Sequence, residues 1–365
     1  MRTGCFAFCI GWSFTLSVAA QQPKVAEPAQ TAPEIGGGSG IGQLRLIFEK
    51  TKTAHTTADY TAIIQQSQEA LRLGVKKEDL AYGERLMSWA YNRRGESHAA
   101  AGRPEDAVSD FSSSAALDPK NWRAMHNLGV SHANEGSFED ALTDFNHAIE
   151  IHASYPNSWA NRAEIKYQLG KFENAIKDYN EAIRLAPKDG TAYTNRGHAQ
   201  YRLGHFAEAQ KDFGTAVELS PDNAAAWVNL GDYQFNRGNF AEASRDYRQA
   251  IRVNPRYGRA FQSAAWLMAT CSDEKFRDPN LAIDSAKKAI ELDGQKDFRY
   301  LDTLAAAYAA AGRFDDAVQT EKMAVQGVGT GDSKPYEERL HLYIDKQPYR
   351  QGSVDVARQP RSVLR

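Results

Sequence analysis

The chain has 365 residues, of which 25% are charged, and its formal net charge is -2 at pH 7. This near balance of acidic and basic residues excludes the overall positive field that drives nonspecific binding to nucleic acid. Nucleic acid is therefore not an expected partner.

The first twenty residues have the layout of a secretory signal peptide. Arg2 precedes an apolar run that starts at Cys5, and small residues follow up to Ala20. This order of a basic start, an apolar middle and a small-residue end is typical of cleaved export signals. We expect cleavage after Ala20 and a periplasmic or secreted protein. The alternative, an uncleaved anchor, is disfavoured because the run is short and rich in Gly, Ser and Thr.

Removal of the signal peptide would leave Cys271 as the one remaining cysteine of three. The mature chain could then form no internal disulfide, and packing alone would have to stabilise it in an oxidising compartment. No stretch after the signal peptide is apolar for eighteen residues, so no membrane span is expected there.

Residues 21–43 are rich in Pro, Ala, Gln and Gly and have almost no large apolar side chain until the last few positions. Such a segment cannot bury enough surface to fold, so we expect a disordered linker. Its GGGSG run is followed by Ile41, Gly42 and Gln43. A phosphate-binding loop requires Lys and Ser or Thr at that point, which favours the linker interpretation.

Residues 44–87 contain the run ADYTAIIQQSQEALRL, whose apolar spacing predicts a helix. From residue 88 to residue 331 the sequence repeats with a period of thirty-four residues. A large residue comes early in each unit, at Tyr91, Met125, Trp159, Tyr193, Trp227 and Phe261. A small residue follows four positions later, at Gly95, Gly129, Ala163, Gly197, Gly231 and Ala265.

The second part of each unit repeats as well. An alanine recurs at Ala107, Ala141, Ala175, Ala209 and Ala243, and an aromatic residue at Phe111, Phe145, Tyr179, Phe213 and Tyr247. A proline ends most units, at Pro119, Pro187, Pro221 and Pro255. This order of large, small, alanine, aromatic and proline residues resembles the tetratricopeptide repeat (TPR) family.

The resemblance implies an all-α fold, an α-α superhelix of about seven helical hairpins. We place the repeats at residues 88–121, 122–155, 156–189, 190–223, 224–257, 258–297 and 298–331. Glycines between the two apolar stripes of a unit are suited to end its first helix, and prolines to stop its second. Residues 44–87 would be a diverged leading unit.

The sixth repeat contains an insertion, CSDEKFRDPN, after which Asp278 and Pro279 are expected to start the second helix. Residues 332–345 are expected to form a helix that caps the stack. Residues 346–365 hold five basic residues and one acidic residue and are expected to be a disordered tail. The last two repeats also resemble those of secreted bacterial TPR proteins of unassigned role.

One repeated residue is not explained by a core. An asparagine recurs two residues after the large position, at Asn127, Asn161, Asn195 and Asn229. Two residues correspond to about 200° around a helix, so these side chains should face away from the core. First helices line the concave surface of TPR arrays, and the resemblance therefore implies a ladder of amides in a groove. In a similar ladder, that of the O-linked N-acetylglucosamine transferase, amides grip the backbone of an extended peptide.

Six residues after three of these asparagines come Tyr167, Tyr201 and Phe235, which we expect to offer apolar platforms in the same groove. The alternative is that the asparagines cap local structure or face water, and that the aromatic rings pack on the next repeat. Two further rows are interpreted as structural ion pairs: Arg94, Arg162 and Arg196, with Asp110, Asp144, Asp178, Asp212 and Asp246. Whether they pair within or between repeats stays open.

No catalytic constellation is present. The histidines have no metal-ligand spacing, no serine lies in a G-x-S-x-G context, and Cys271 has no histidine near it in sequence. No cofactor is indicated. We expect an exported adaptor or scaffold that binds an extended protein segment in its concave groove. The alternatives are a structural spacer that uses its convex face or stack ends, and a repeat domain attached to an enzyme.

Overall fold

The computed structural model describes residues 39–294, 297–329 and 331–351. The expected signal peptide and most of the expected linker lie outside these ranges. Within them the chain forms seventeen α-helices and one 3-10 helix, and no strand. None of these helices has both the length and the apolar content required to cross a bilayer.

The α-helices are, in chain order, α1 (Ser39–Thr51), α2 (Thr57–Arg72), α3 (Lys77–Ala100), α4 (Pro104–Leu117), α5 (Trp122–Asn134), α6 (Phe138–Ile151), α7 (Pro156–Gln168), α8 (Phe172–Leu185), α9 (Gly190–Arg202), α10 (Phe206–Leu219), α11 (Ala224–Asn236), α12 (Phe240–Val253), α13 (Gly258–Thr270), α14 (Pro279–Asp293), α15 (Phe298–Ala310), α16 (Phe314–Gly327) and α17 (Lys334–Ile344). The 3-10 helix is Glu274–Phe276, in the insertion of the sixth repeat.

The helices fall into two compact units, which divide after Pro187. In the N-terminal unit α1 and α2 precede three hairpins, α3/α4, α5/α6 and α7/α8. In the C-terminal unit four hairpins, α9/α10, α11/α12, α13/α14 and α15/α16, precede α17, which packs on α16. The expected seven hairpins, leading unit and final helix are thus all present, and the predicted all-α fold class is confirmed.

The turns between the paired helices have a common geometry. Five glycines, at positions 102, 136, 170, 204 and 238, have φ angles between 70° and 80°. Glycine adopts this left-handed conformation without steric cost, because it has no Cβ. In the first turn the backbone N–H of Arg103 donates to the carbonyl of His98 at 2.9 Å, which completes a six-residue helix-ending motif. The glycines therefore fix where each first helix ends.

In four hairpins a glycine of the first helix faces an aromatic ring of the second helix. A Cβ added at Gly95 would lie 2.6 Å from the ring of Phe111, and one added at Gly231 would lie 2.6 Å from the ring of Tyr247. Both rings are buried, with at most 2% of their surface exposed. Such close packing excludes any larger residue at the glycine unless the helices move apart.

The N-terminal boundary differs from the expected one. Helix α1 begins at Ser39, and Ile41 is buried together with Leu44, Ile47 and Phe48. These four residues recur at intervals of three and one, which places them on a single helical face. Residues 39–43 therefore belong to the leading unit, and the expected linker ends earlier than residue 43.

The C-terminal boundary also differs. The expected capping helix is α17, but the expected tail does not begin as a disordered segment. Residues 346–351 pack on α13, where the Tyr349 ring centroid lies 5.9 Å from that of Trp266. An aromatic anchor of this kind offsets the polar composition that predicted disorder. The rest of the expected tail lies outside the described residues.

Helix α17 is attached through a buried charge. The Nε of Arg339 donates to Asp302 of α15 at 2.6 Å and lies 3.7 Å from Glu321 of α16. The side chains of all three residues are at most 7% exposed. Because a buried ion must be paired, this contact fixes α17 on the end of the C-terminal unit.

We predict that Gly231→Ala lowers the thermal stability of the chain, because its methyl group would overlap the Tyr247 ring. Overpacking of this kind costs about 1 to 3 kcal/mol. The control is Gly214→Ala in α10, where an added Cβ would meet nothing within 4 Å. Alanine at an open helical position should stabilise the chain by about 0.5 to 1 kcal/mol. Thermal unfolding of both variants checks the prediction, and equal shifts would contradict it.

Candidate functional site

The first helices of neighbouring hairpins contact one another. In the N-terminal unit α3 packs on α5 and α5 on α7, and in the C-terminal unit α9 packs on α11, α11 on α13 and α13 on α15. The four asparagines hold the same position in these first helices, and the contacts of Asn127 and Asn229 place that position on the side where the first helices meet. We call this side of each unit its inner face, defined by Asn127 and Asn161 in the N-terminal unit and by Asn195 and Asn229 in the C-terminal unit.

The asparagines are more buried than an open ladder requires. Asn127 is 7% exposed, and its Nδ2 donates to Asn92 of α3 at 3.0 Å and to Glu96 at 3.4 Å. Asn229 is 9% exposed, and its side-chain oxygen accepts a hydrogen bond from Arg259 of α13 at 3.3 Å. These two amides therefore connect successive first helices.

The other two asparagines differ from this pattern. Asn195 is half-buried. Asn161 is 8% exposed, and its buried Nδ2 has no hydrogen-bond acceptor among the described residues. A buried donor without an acceptor costs about 1 to 3 kcal/mol. Asn161 therefore has the most to gain from a bound acceptor, and the peptide-binding role of the four asparagines stays a prediction.

The three aromatic residues lie about 120° around the helix from the asparagines, since six residues correspond to about 600° of rotation. Tyr167 and Tyr201 are half-buried, and their rings lie edge-on to Phe172 and Phe206 at 5.2 Å and 5.4 Å. These phenylalanines begin the second helix of the same hairpin. Tyr167 and Tyr201 keep part of their surface exposed and stay candidates for ligand contact.

Phe235 is only 6% exposed, and its ring packs on that of Phe240 with a centroid distance of 5.6 Å. It therefore offers no open platform in this conformation of the chain. The reason is local, because Phe235 belongs to the large apolar cluster that helices α11 to α17 build together.

Two inner-face carboxylates were not singled out from the sequence. Glu164 is 5% exposed and accepts a hydrogen bond from the Tyr179 hydroxyl at 2.9 Å, and Asp232 is 9% exposed and accepts one from the Tyr247 hydroxyl at 2.9 Å. Burial raises the pKa of Glu164. The sequence did contain a signal for these carboxylates. At the buried aromatic position of the second helix, these two repeats have tyrosine where others have phenylalanine, and a buried hydroxyl requires a hydrogen-bond partner.

Asp232 also joins a polar network that crosses from α11 to α13. Its second carboxylate oxygen accepts a hydrogen bond from the Nη2 of Arg259 at 2.9 Å, and the same nitrogen reaches Asn229 at 3.3 Å. The inner face of the C-terminal unit thus carries a compensated charge pair beside the asparagine column. A ligand there meets polar groups of both signs.

The arginine and aspartate rows pair within each repeat. Each arginine of the first helix forms two hydrogen bonds to the aspartate of the second, at 2.7 to 2.9 Å, in the pairs Arg94–Asp110, Arg162–Asp178 and Arg196–Asp212. A two-point contact between guanidinium and carboxylate is the strongest geometry for such a pair. These pairs join the two helices of one hairpin.

Two repeats carry leucine where the arginine would be, at Leu128 and Leu230. In the first of them Asp144 contacts His132 at 2.7 Å instead. In the second, no side chain of the described residues donates a hydrogen bond to Asp246, which is 7% exposed. Burial raises the pKa of Asp246 to about 6.

Nowhere in residues 39–294, 297–329 and 331–351 do three His, Cys, Asp or Glu side chains come together as a metal site would require. The Cys271 thiol is buried, and burial raises its pKa, so the reactive thiolate is disfavoured. The polar side chains of the inner faces can form hydrogen bonds and ion pairs with a ligand.

We predict that Asp246→Asn stabilises the chain at about pH 7.5. Since the folded pKa of Asp246 is raised to about 6, the wild-type chain loses stability as the pH rises from about 4 through 6. Asparagine has no proton to lose, so the variant should gain about 1 to 3 kcal/mol at neutral pH and little at pH 4. Thermal unfolding at both pH values measures this difference.

The matched control is Asp212→Asn, because Asp212 has the same place in its repeat but is paired with Arg196. This change should lower stability at neutral pH. If Asp246→Asn destabilised the chain as much as Asp212→Asn does, the interpretation of Asp246 as an unpaired buried acid would be wrong.

Comparisons with known proteins agree with this geometry. Models of tetratricopeptide repeat families match residues 92–158 and 194–252, 163–204, and 299–320. Among curated proteins, none matches the chain in sequence.

Three solved structures share the fold. A tetratricopeptide repeat protein from Parabacteroides merdae is 19% identical with a TM-score of 0.55, and the match covers 70% of this chain and 98% of that one. Yeast Tom70 is 14% identical with a TM-score of 0.53, covering 88% of this chain and 67% of that one. Pseudomonas aeruginosa pilF is 18% identical with a TM-score of 0.50, covering 58% and 94%. The repeat period, the helical hairpins and the matches to family models together show that the chain is a tetratricopeptide repeat protein.

Proposed function

We propose that the chain is an exported scaffold that holds an extended segment of a partner protein on its inner faces and performs no chemistry of its own. A tetratricopeptide repeat fold supports a role in protein–protein interaction generally. Export is supported by the signal-peptide layout of the first twenty residues. The partner class follows from the inner face, whose polar groups include both donors and acceptors, as a peptide backbone requires.

One observation carries the proposal. The inner face of the C-terminal unit accepts a non-helical segment of the chain itself, at residues 349–351. The backbone N–H of Gln351 donates to the carbonyl of Thr270 at 2.8 Å, and Gln351 and Cys271 form an isolated parallel β-bridge between the two segments. A surface that binds one extended segment through its backbone has the geometry to bind another.

The asparagines would supply sequence-independent contacts along this surface. A hydrogen bond to a peptide contributes about 0.5 to 1.5 kcal/mol net, so one amide has a small effect and four have a large one. Asn127 must exchange its bond to Asn92 for a bond to the peptide, which reduces its gain. Asn161 gives up no such bond at its Nδ2, and we expect it to contribute most.

We predict that the quadruple variant with alanine in place of Asn127, Asn161, Asn195 and Asn229 loses the partner, whereas single variants lose little affinity. Affinity capture of the mature chain from its native envelope fraction, followed by mass spectrometry, measures this. Among the single variants, Asn161→Ala should weaken binding more than Asn127→Ala.

The control replaces Asn174 and Asn180, two exposed asparagines on α8, by alanine. It should capture the same proteins as the wild type. A partner that remains bound to the quadruple variant, with crosslinks confined to the second helices, would reject the inner-face scaffold. That result would favour a spacer that uses its outer surface or its ends.

A further inference from the structure

The chain turns back on itself after α17. Lys346 has a φ angle of 55°, and the backbone N–H of Gln347 donates to the carbonyl of Leu342 at 2.8 Å. This is the left-handed turn that commonly ends a helix and reverses the chain. It directs residues 348–351 away from α17 and onto α13.

The returning segment has an aromatic anchor. The Tyr349 ring packs on Trp266, with a centroid distance of 5.9 Å, and the guanidinium of Arg339 lies 5.6 Å from the centre of the same ring. Beyond it, the Nη1 of Arg350 donates to the carbonyl of Ala269 at 2.9 Å. Tyr349 is thus held between α17 and α13.

Gln351 makes three hydrogen bonds to α11 and α13. Besides the backbone bond to Thr270, its side-chain oxygen accepts from the indole Nε1 of Trp266 at 2.7 Å. Its side-chain nitrogen donates to the Oδ1 of Asn236 at 3.4 Å. An indole can only donate and a side-chain oxygen can only accept, so an amide satisfies both partners at once.

These contacts lie on the inner face. Ser263 stands thirty-four residues after Asn229 and takes the place of the asparagine in its repeat. Trp266 and Thr270 follow Ser263 by three and seven residues, and Asn236 follows Asn229 by seven. Residues three and seven places apart share one side of a helix. The returning segment therefore lies on the same side of α11 and α13 as the asparagine column, toward the C-terminal ends of these helices.

We propose that residues 349–351 are an intramolecular ligand of the inner face, and that the partner segment that replaces them has an aromatic residue followed two places later by glutamine. The proposal rests on the function proposed above. The aromatic residue would pack on Trp266, and the glutamine would bridge Trp266 and Asn236. Glutamate in that position would satisfy the indole but offer no donor to the Oδ1 of Asn236.

Occupation of the surface by the chain itself lowers the apparent affinity for any competitor. The apparent dissociation constant equals the intrinsic one divided by the fraction of chains in which the surface is open. If about one chain in ten is open, a free peptide binds about tenfold more weakly than to a permanently open surface. A partner would then displace the segment only if it were abundant enough or bound tightly enough.

The test uses the full chain and a fluorescein-labelled peptide, Lys-Gln-Pro-Tyr-Arg-Gln, with a blocked carboxyl end. The double variant Tyr349→Ala, Gln351→Ala opens the surface, and fluorescence polarisation measures the affinity of the peptide. We expect it to bind the double variant about tenfold more tightly than the wild type. The control Gln347→Ala alters an exposed side chain of the same segment and should behave as the wild type does.

One further variant and two altered peptides keep the test falsifiable if loss of Tyr349 loosens α17. Gln351→Ala alone retains the aromatic anchor and should give a smaller increase in affinity. A peptide with glutamate or alanine in place of its last glutamine should bind the double variant several-fold more weakly than the original peptide.

Equal affinity for the wild type and both opened variants would overturn the proposal, as would the absence of peptide binding to a Gln351→Ala chain whose thermal unfolding is unchanged. These outcomes are distinct from failure of the scaffold function. Peptide binding without capture of any envelope protein would reject the scaffold and retain the intramolecular ligand. Capture that depends on the asparagines, without peptide binding, would retain the scaffold and reject the intramolecular ligand.

Discussion

The contact between a small residue of the first helix and an aromatic ring of the second determines the rest of the structure. Where glycine faces Phe111 or Tyr247, the ring fills the space that a Cβ would occupy. This close approach sets the separation of the two helices in a hairpin, and hence the position of the inner face. The ion pairs between Arg94, Arg162 and Arg196 and their aspartates add a second connection in three of the hairpins. Because the small and aromatic positions recur every thirty-four residues in the first five repeats, each of these repeats presents its inner side chains in the same register.

Much of this fold could be predicted from the sequence, since the signals are local and repeated. The period located the hairpins, the glycines located the turns, and Asp278 and Pro279 located the start of α14, where the Asp278 side chain accepts a hydrogen bond from Leu281. The predicted family and fold class are confirmed. The boundary at Ser39 was misplaced because glycines precede an apolar stripe that begins only at Ile41.

The candidate site was less predictable, because exposure depends on which neighbour each side chain meets. The position of the asparagines on one side of the first helices follows from helical geometry. Their burial does not, since it depends on contacts such as that of Asn127 with Asn92 and that of Asn229 with Arg259, which join residues thirty or more positions apart. Gln351 docks on Trp266, which lies eighty-five positions earlier in the chain. Gln351 itself belongs to a segment whose composition favours disorder. No periodic pattern in the sequence predicts such a contact.

We propose that partners meet the first helices of the repeats and not the second. The most direct measurement is site-specific photocrosslinking, with a photoreactive residue at Asn134 or Arg202, which lie seven residues after an asparagine of the column, and at Asn146 or Lys211 on second helices. All four side chains are exposed. We expect partner adducts from positions 134 and 202 and none from positions 146 and 211. Adducts from the second helices alone would contradict it.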